Sequence, residues 1–182
     1  MLGSMNRSVR RSAALALALA LAVALLSLAA DAASKAWASA ALRDGHRITL
    51  EGGLVRLQLV VNHGAAFGLG TGYEPVIVAV SVAGVVLLAL WACLAAGGIE
   101  RSGAALAAGG AAGNLADRLF RAPGGLHGGV VDWIHVWFYG PTFNLADLWL
   151  RGGIAIAAAA WLWSRRGRAG VPVRSVPRRE DT

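Results

Sequence analysis

Two aspartates in this sequence could act together in acid–base chemistry. Asp132 lies in GGVVDWIHVWF, and Asp147 lies 15 residues later in FNLADLWL, with a predicted turn around Gly140 and Pro141 between them. If the chain folds back there, the two carboxylates face each other and share one proton. One carboxylate can then take a proton from water while its protonated partner polarises a peptide carbonyl. The spacing alone leaves three interpretations open, which are a proteolytic dyad, polar packing and an ion pathway.

Two asparagines accompany the acidic residues at helical spacing. Asn114 precedes Asp117 by three residues, and Asn144 precedes Asp147 by three residues, so each pair shares one face of a helix. Arg118 follows Asp117 directly and could neutralise a carboxylate. An asparagine amide both donates and accepts hydrogen bonds, so these residues are candidates for fixing the carboxylate rotamers.

Two cations stand four residues after an aspartate. Asp31 and Lys35 have this spacing, which predicts a structural ion pair within one helix. Arg151 has the same relation to Asp147, so a plain intrahelical ion pair is the simplest interpretation there.

Other catalytic chemistries have little support. No H-E-x-x-H or G-x-S-x-G pattern occurs, and Cys93 has no histidine near it in the sequence. The histidines lack metal-ligand spacing; they are His46, His63, His127 and His135. We therefore expect neither a metal nor a cofactor.

The composition is that of a membrane protein. Of 182 residues, 57% are hydrophobic and 15% are charged, and the mean hydropathy is +0.57. Four apolar blocks approach the length of about 20 residues that spans a bilayer; they are residues 13–30, 75–96, 103–120 and 144–163. The sequence thus predicts an all-α integral membrane protein, a bundle of four transmembrane helices. The third block is the least apolar, but Gly109 and Gly113 form a G-x-x-x-G motif that lets helices approach closely.

The basic residues predict the topology. The N-terminus (1–12), the loop 97–102 and the tail (164–182) carry ten of the 17 Lys and Arg residues, which makes them cytoplasmic by the positive-inside rule. Segments 31–74 and 121–143 then face outward. The net charge of +7 follows from this topology and from contact with lipid headgroups, without a nucleic-acid partner. The tail is expected to be disordered. Taken alone, the first block also resembles a cleaved secretory signal peptide.

The outward segment 31–74 has its own structural signal. RITLEGGLVRLQLVVN alternates apolar and polar residues on both sides of a Gly-Gly pair, which predicts a small β-hairpin on the outer membrane surface. Four acidic residues in or beside the spans also fall near the outer ends of the predicted helices, at one depth; they are Asp31, Asp117, Asp132 and Asp147.

Five blocks in this order resemble the signal peptidase II family of bacterial lipoprotein signal peptidases. They are DAASK (31–35), NHGAAFG (62–68), GGAAGNLADRL (109–119), GGVVDWI (128–134) and FNLAD (143–147). The resemblance implies four transmembrane helices with a small extracytoplasmic β-element, in a bacterial cell membrane. It also implies cleavage of diacylglyceryl-modified prolipoproteins before the lipid-bearing cysteine.

The resemblance also implies residue roles. It places the catalytic dyad on Asp132 and Asp147. Polar positions that line and order the site are Asn62, Asn114, Asp117, Arg118 and Asn144. Supporting positions are Asp31, Lys35, Gly64 and Phe67. The expected partners are prolipoprotein substrates and membrane lipids, and the protein is expected to be a monomer.

Two other classes of function remain open on the sequence. A small ion or proton carrier would stagger its acids across the membrane. A non-catalytic membrane scaffold would tolerate Asp132→Asn, whereas a peptidase would not.

Overall fold

The computed structural model describes residues 2–65 and 69–169. The elements in chain order are α1 (Leu2–Ala41), β1 (Arg47–Leu50), β2 (Val55–Asn62), α2 (Glu74–Leu94), α3 (Gly98–Phe120), β3 (Val130–Val136), β4 (Thr142–Phe143) and α4 (Leu145–Ala169). Phe67 and the last 13 residues of the predicted tail lie outside the described residues.

The helices carry large apolar side chains on their outside and small ones at their contacts. Exposed positions include Leu15, Leu21, Val80, Leu87 and Leu162. The buried contact cluster consists of alanines, namely Ala20, Ala92, Ala104, Ala105 and Ala157. Helices in a bilayer gain little from hiding apolar surface and associate through close packing of small residues, so this distribution is typical of a membrane protein.

Within residues 2–65 and 69–169, three helices are long and apolar enough to cross a membrane; these spans are Arg10–Ala41, Glu74–Leu94 and Leu145–Arg166. The prediction of four such spans is therefore supported for three. Helix α3 contains the third predicted block, and its alanines, glycines and charged residues make it too weakly apolar to qualify.

Helix α3 nevertheless packs against α1, α2 and α4 and has more buried residues than any other described helix. Its glycines permit this central position. A Cβ atom on Gly109 would overlap Ala24 of α1, and one on Gly113 would lie 2.5 Å from the Asp31 carboxylate. The G-x-x-x-G motif thus brings α1 against α3, as its spacing predicts.

The predicted hairpin is confirmed. Strands β1 and β2 pair antiparallel, and the turn between them contains Gly52 and Gly53, both at positive φ. The sequence did not indicate that β3 and β4 would extend it to a four-stranded antiparallel sheet of order β1-β2-β3-β4. Asp132 therefore lies on a strand, opposite Val60 of β2.

The helix bounds differ from the predicted blocks. Helix α1 begins at Leu2 and continues to Ala41, beyond the predicted end at residue 30. Helix α4 continues to Ala169, so residues 164–169 of the predicted disordered tail are helical. The flanking residues form helix because nothing in them interrupts it; Pro is absent from both extensions.

Candidate active site

Asp132 and Asp147 line the same cavity. Its volume is about 480 Å³, and it lies between α2 and the start of α4, with Asn114 and Arg118 of α3 also in its wall. Asp132 reaches the cavity from β3, and Asp147 reaches it from the first turn of α4. The turn between β3 and α4 thus brings together two carboxylates that are 15 residues apart in the sequence.

Asn144 connects the two halves of this arrangement. It directly precedes α4, and its Oδ1 accepts a hydrogen bond from the Asp147 backbone N–H at 3.0 Å. The Asp147 carboxylate accepts a longer one, at 3.4 Å, from the Asn144 backbone N–H. The i, i+3 spacing in FNLAD is therefore a reciprocal helix cap.

The Asn144 side chain also holds Asp132. Its Nδ2 donates to the Asp132 carboxylate at 2.6 Å and lies 3.2 Å from the Val131 carbonyl. Asn144 is completely buried, so water does not compete for these bonds. The residue that caps α4 thereby fixes the position of the β3 carboxylate relative to the helix that carries Asp147.

Two more asparagine amides complete the support. The Nδ2 of Asn62 donates to Asp132 at 3.2 Å, and the Nδ2 of Asn114 donates to Asp147 at 3.1 Å. The Gly64 N–H donates to Asn62 Oδ1 at 2.9 Å, which orients the Asn62 amide. Both carboxylates are thus held by neutral amides.

Burial and like charge raise the pKa of Asp132 to about 6. Burial is the larger cause and raises the pKa because it penalises the ionised form. The negative charge of Asp147 is the second cause. The hydrogen bonds from Asn62 and Asn144 act in the opposite direction, since they stabilise the carboxylate. Asp132 therefore holds a proton up to a pH of about 6, well above the range of an ordinary aspartate.

A separate, ion-paired group lies directly behind the cavity. Lys35, with 1% of its side chain exposed, forms ion pairs with Asp31 at 2.7 Å and with Asp117 at 3.0 Å. Its Nζ also donates to Asn114 Oδ1 at 2.9 Å. An ammonium group has three N–H donors, so these three acceptors satisfy it. Because Asn114 Oδ1 faces Lys35, its Nδ2 is directed to Asp147.

The carboxylates of this group also hold the backbone of the site. Asp31 accepts a hydrogen bond from the Ala146 N–H at 2.9 Å, and Asp117 accepts one from the Val131 N–H at 3.1 Å. Ala146 precedes one cavity aspartate and Val131 precedes the other. The ion-paired group thus positions the backbone of both segments that carry the candidate dyad, which are β3 and the start of α4.

Arg121 joins this group and was missed on the sequence. Its Nε lies 2.6 Å from the Asp117 carboxylate, at the i, i+4 spacing that could have identified the pair. Arg118, which the sequence makes a candidate for neutralising a carboxylate, interacts electrostatically with Asp132, Asp117 and Asp147. Its guanidinium donates a hydrogen bond to the Gly64 carbonyl at 2.6 Å.

Arg151 does not form the simple ion pair with Asp147. Its Nη1 donates to the Tyr139 hydroxyl at 2.6 Å, and its guanidinium carbon lies 5.7 Å from the centre of the Tyr139 ring. Tyr139 comes from the turn between β3 and β4, and no sequence pattern indicated it. Both residues line the cavity that contains the two aspartates.

The charges of the whole cluster nearly balance. Its carboxylates are Asp31, Asp117, Asp132 and Asp147, and its cations are Lys35, Arg118 and Arg121. Four carboxylates and three cations leave one excess negative charge, which one retained proton removes. Within the described residues, no group of His, Cys, Asp and Glu side chains is arranged to hold a metal ion.

Comparison with known proteins agrees with this arrangement. A family described as signal peptidase (SPase) II matches residues 23–163, which contain every residue of the cluster. The chain belongs to the signal peptidase II family. The match covers the helices and the sheet that build the cavity, whereas the first part of α1 lies outside it.

Individual relatives are also similar to this chain. A lipoprotein signal peptidase of Rhodococcus jostii (strain RHA1) is 42% identical over 125 residues, which are 66% of this chain and 60% of that protein. One from Mycolicibacterium smegmatis is 39% identical over 141 residues, which are 73% of this chain and 56% of that protein. The chain therefore matches somewhat less than two thirds of the length of these two relatives.

Two solved structures share the fold. One is a bacterial membrane enzyme solved by the in meso method at 2.3 Å resolution, with a TM-score of 0.73, 22% identity and coverage of 86% of this chain and 95% of that one. A second bacterial membrane enzyme, at 1.9 Å resolution, gives a TM-score of 0.67 and 23% identity, with coverage of 80% of this chain and 93% of that one. At this identity the likeness concerns the fold. The three apolar spans and the family make this chain a bacterial membrane protein.

Proposed function

We propose that this protein is a membrane aspartic endopeptidase that removes signal peptides from diacylglyceryl-modified prolipoproteins, cleaving before the lipidated cysteine. Asp132 and Asp147 form its catalytic dyad. The observation that carries the proposal is that these two carboxylates, from different elements, line one cavity and are held by neutral amides. A carboxylate paired with a cation is fixed in its ionised form, whereas these two can exchange a proton.

The reaction needs one proton shared by the dyad. Asp132, whose pKa is raised to about 6, holds that proton, and Asp147 takes the role of the base. Asp147 takes a proton from water, the water oxygen bonds to the scissile carbonyl carbon, and Asp132 gives its proton to the carbonyl oxygen. The tetrahedral intermediate then collapses. The C–N bond breaks, and a proton passes through the dyad to the departing cysteine nitrogen.

The amides would hold the carboxylates in place during these steps. Asn144 is completely buried and bonded both to Asp132 and to the α4 backbone, so it does not need to reorient when charge moves. Asn62 and Asn114 stabilise the ionised forms, which keeps the dyad from retaining both protons. Arg118 lies in the cavity wall and offsets the negative charge that remains on the dyad throughout the reaction.

The membrane setting suits a lipidated substrate. The α2 wall of the cavity is apolar, with Val76, Ile77, Val80 and Leu88, and can accept acyl chains. We place α3 as the fourth membrane helix, shielded from lipid by the other three. Both termini then lie in the cytoplasm and the dyad lies near the outer surface, where water reaches the scissile bond. A monomer suffices, since one chain supplies the whole cavity.

The distribution of acids argues against an ion carrier. Between Glu100 at the start of α3 and Asn114 near its end, the buried face of this helix carries alanine and glycine alone. Glu100 itself accepts a hydrogen bond from Trp91 at 2.9 Å. The central helix therefore offers no ladder of ionisable groups across the membrane.

A cleavage assay with purified protein tests the proposal. The full chain in detergent receives a diacylglyceryl-modified prolipoprotein or the same protein without the lipid, and products are followed by gel shift and mass spectrometry. The expected result is one cut, before the lipidated cysteine, in the modified substrate alone. Absence of any cut by folded protein, or equal cleavage of both substrates, would contradict the proposal.

A further inference from the structure

Arg151 carries a charge inside a candidate membrane span. It lies on α4 one helical turn after Asp147, which corresponds to about 6 Å along the helix axis. A charged side chain in such a position is costly unless it faces a polar partner or a functional cavity, and it suggests a role in binding or transport. The chemistry proposed for the dyad does not use Arg151.

The contacts of Arg151 within the described chain engage few of its guanidinium donors. Within the described chain it forms no ion pair, and its hydrogen-bond acceptor is the neutral Tyr139 hydroxyl. A guanidinium has five N–H donors in a planar fork, and this bond uses one of them. The Tyr139 contact also fixes the direction of the side chain, since it ties α4 to the turn between β3 and β4.

The position of the guanidinium suggests what it binds. It lines the same cavity as the dyad, and the facing wall from α2 is mainly apolar. A ligand that fits both features has hydrocarbon chains beside α2 and an oxygen acceptor at their head. A fatty acyl ester has both features, because its hydrocarbon chain ends in a carbonyl oxygen. That oxygen can accept a hydrogen bond from a charged donor.

We propose that Arg151, held by Tyr139, binds the ester carbonyl oxygens of the diacylglyceryl group and makes the enzyme selective for ester-linked lipid. The inference rests on the proposed function.

Two synthetic lipopeptides test this selectivity. They share one peptide and one chain length, but one has two acyl esters and the other has two alkyl ethers, which lack the carbonyl oxygens. With the full-length protein in detergent micelles, kcat/KM for the ester is expected to exceed that for the ether by about tenfold, the effect of one charge-assisted hydrogen bond. Arg151→Met should bring the ratio close to one by raising KM for the ester.

Two further variants sharpen the test. Tyr139→Phe keeps the ring and removes the hydroxyl that holds Arg151. The ratio of kcat/KM for the ester to that for the ether should therefore fall to a value between those of wild type and Arg151→Met. Arg165→Met removes an exposed cation further along α4, which lies 4.1 Å from the Trp161 ring centre, and should leave the ratio unchanged. A purely structural role for Arg151 would lower kcat/KM for both lipopeptides equally.

The outcomes separate this inference from the function on which it rests. If both lipopeptides are cut and Arg151→Met keeps the wild-type ratio, or if wild type does not distinguish them, the inference about Arg151 is overturned while the peptidase stands. If wild type cuts neither lipopeptide nor a natural prolipoprotein, the proposed function fails, and the inference fails with it.

Discussion

The two halves of the polar cluster stabilise their carboxylates differently, one with cations and the other with neutral amides. The ion-paired half, Asp31 and Asp117 with Lys35, is closed behind the cavity, and all three ammonium donors of Lys35 are used. The amide-held half, Asp132 and Asp147, opens on the cavity and is held by asparagines. The difference indicates that cations fix carboxylates as scaffold, while amides leave them able to exchange a proton.

Asn114 lies at the boundary between the halves. Its Oδ1 accepts from Lys35 and its Nδ2 donates to Asp147, so the orientation of its amide depends on the lysine. The closed half therefore positions the open half through one side chain and through the backbone at Ala146 and Val131. The following predictions disturb one half at a time.

The largest effect is expected in the amide-held half. Asp132→Asn removes the shared proton without changing the size of the side chain, so the cleavage rate should fall by about 10⁴-fold with the fold retained. The double variant with Asp147→Asn should be no slower than the single one, because the residues act as a unit. Single-turnover cleavage assays measure both.

Glu100→Gln is the matched control for this loss. Glu100 is also a buried acid, but its partner is Trp91 and it lies at the other end of α3. Its removal should leave the cleavage rate near that of wild type. Equal loss of activity in the Glu100 and Asp132 variants would show that the assay reports folding.

Breaking the ion-paired half should mainly cost stability. Lys35→Met leaves Asp31 and Asp117 without their shared buried cation, which should lower the free energy of unfolding by about 3–5 kcal/mol. Thermal unfolding in detergent measures this. A Lys35→Met protein as stable as wild type would show that the buried pairs do not hold the fold together.

A smaller effect is expected from the asparagine that links the dyad to α4. Asn144→Leu removes the donor to Asp132 and the acceptor for the Asp147 N–H. The rate should fall by about 100-fold, mainly in kcat, because the carboxylates lose their fixed positions. A change confined to KM would instead indicate a role in substrate binding.

The smallest effect concerns pH. Because the pKa of Asp132 is raised to about 6, the shared proton is present below that pH and lost above it, so cleavage should decline as pH rises through about 6. Asn62→Ala removes a bond that stabilises the ionised form, so the decline should move to higher pH. A shift to lower pH, or none, would contradict the role given to Asn62. A pH–rate profile of each protein decides this.

The sequence predicts the helical bundle well because its apolar blocks and G-x-x-x-G motif are local signals. It also predicts the hairpin, where alternating residues flank two glycines. Strand β3 was missed, since its pairing with β2 is a contact between distant segments that local alternation does not reveal. The bounds of α1 were missed because a helix continues as long as nothing interrupts it, whereas apolar composition marks only the span.

In the site, too, contacts between residues close in the sequence could be predicted, whereas contacts between distant segments could not. The spacing of Asp31 and Lys35 predicts their ion pair, and the structure contains it. The partners of Arg118 and Arg151 could not be predicted, because Gly64 and Tyr139 lie on loops whose course depends on tertiary packing. The spacing of Asn144 and Asp147 predicts a shared helix face, whereas Asn144 lies directly before α4 and caps it. Its bond to Asp132 depends on how β3 lies against α4.

The most direct test of the central claim compares one aspartate from each half. Single-turnover cleavage of a lipidated prolipoprotein is measured for Asp147→Asn and Asp31→Asn, below the unfolding temperature of both variants. Asparagine at 31 can still accept from the Ala146 N–H, so this variant should unfold at a lower temperature and keep at least about a tenth of the wild-type rate. Asp147→Asn should be folded and essentially inactive. Near-normal cleavage by Asp147→Asn, or equal inactivity of both folded variants, would contradict the division between a closed scaffold and an open catalytic dyad.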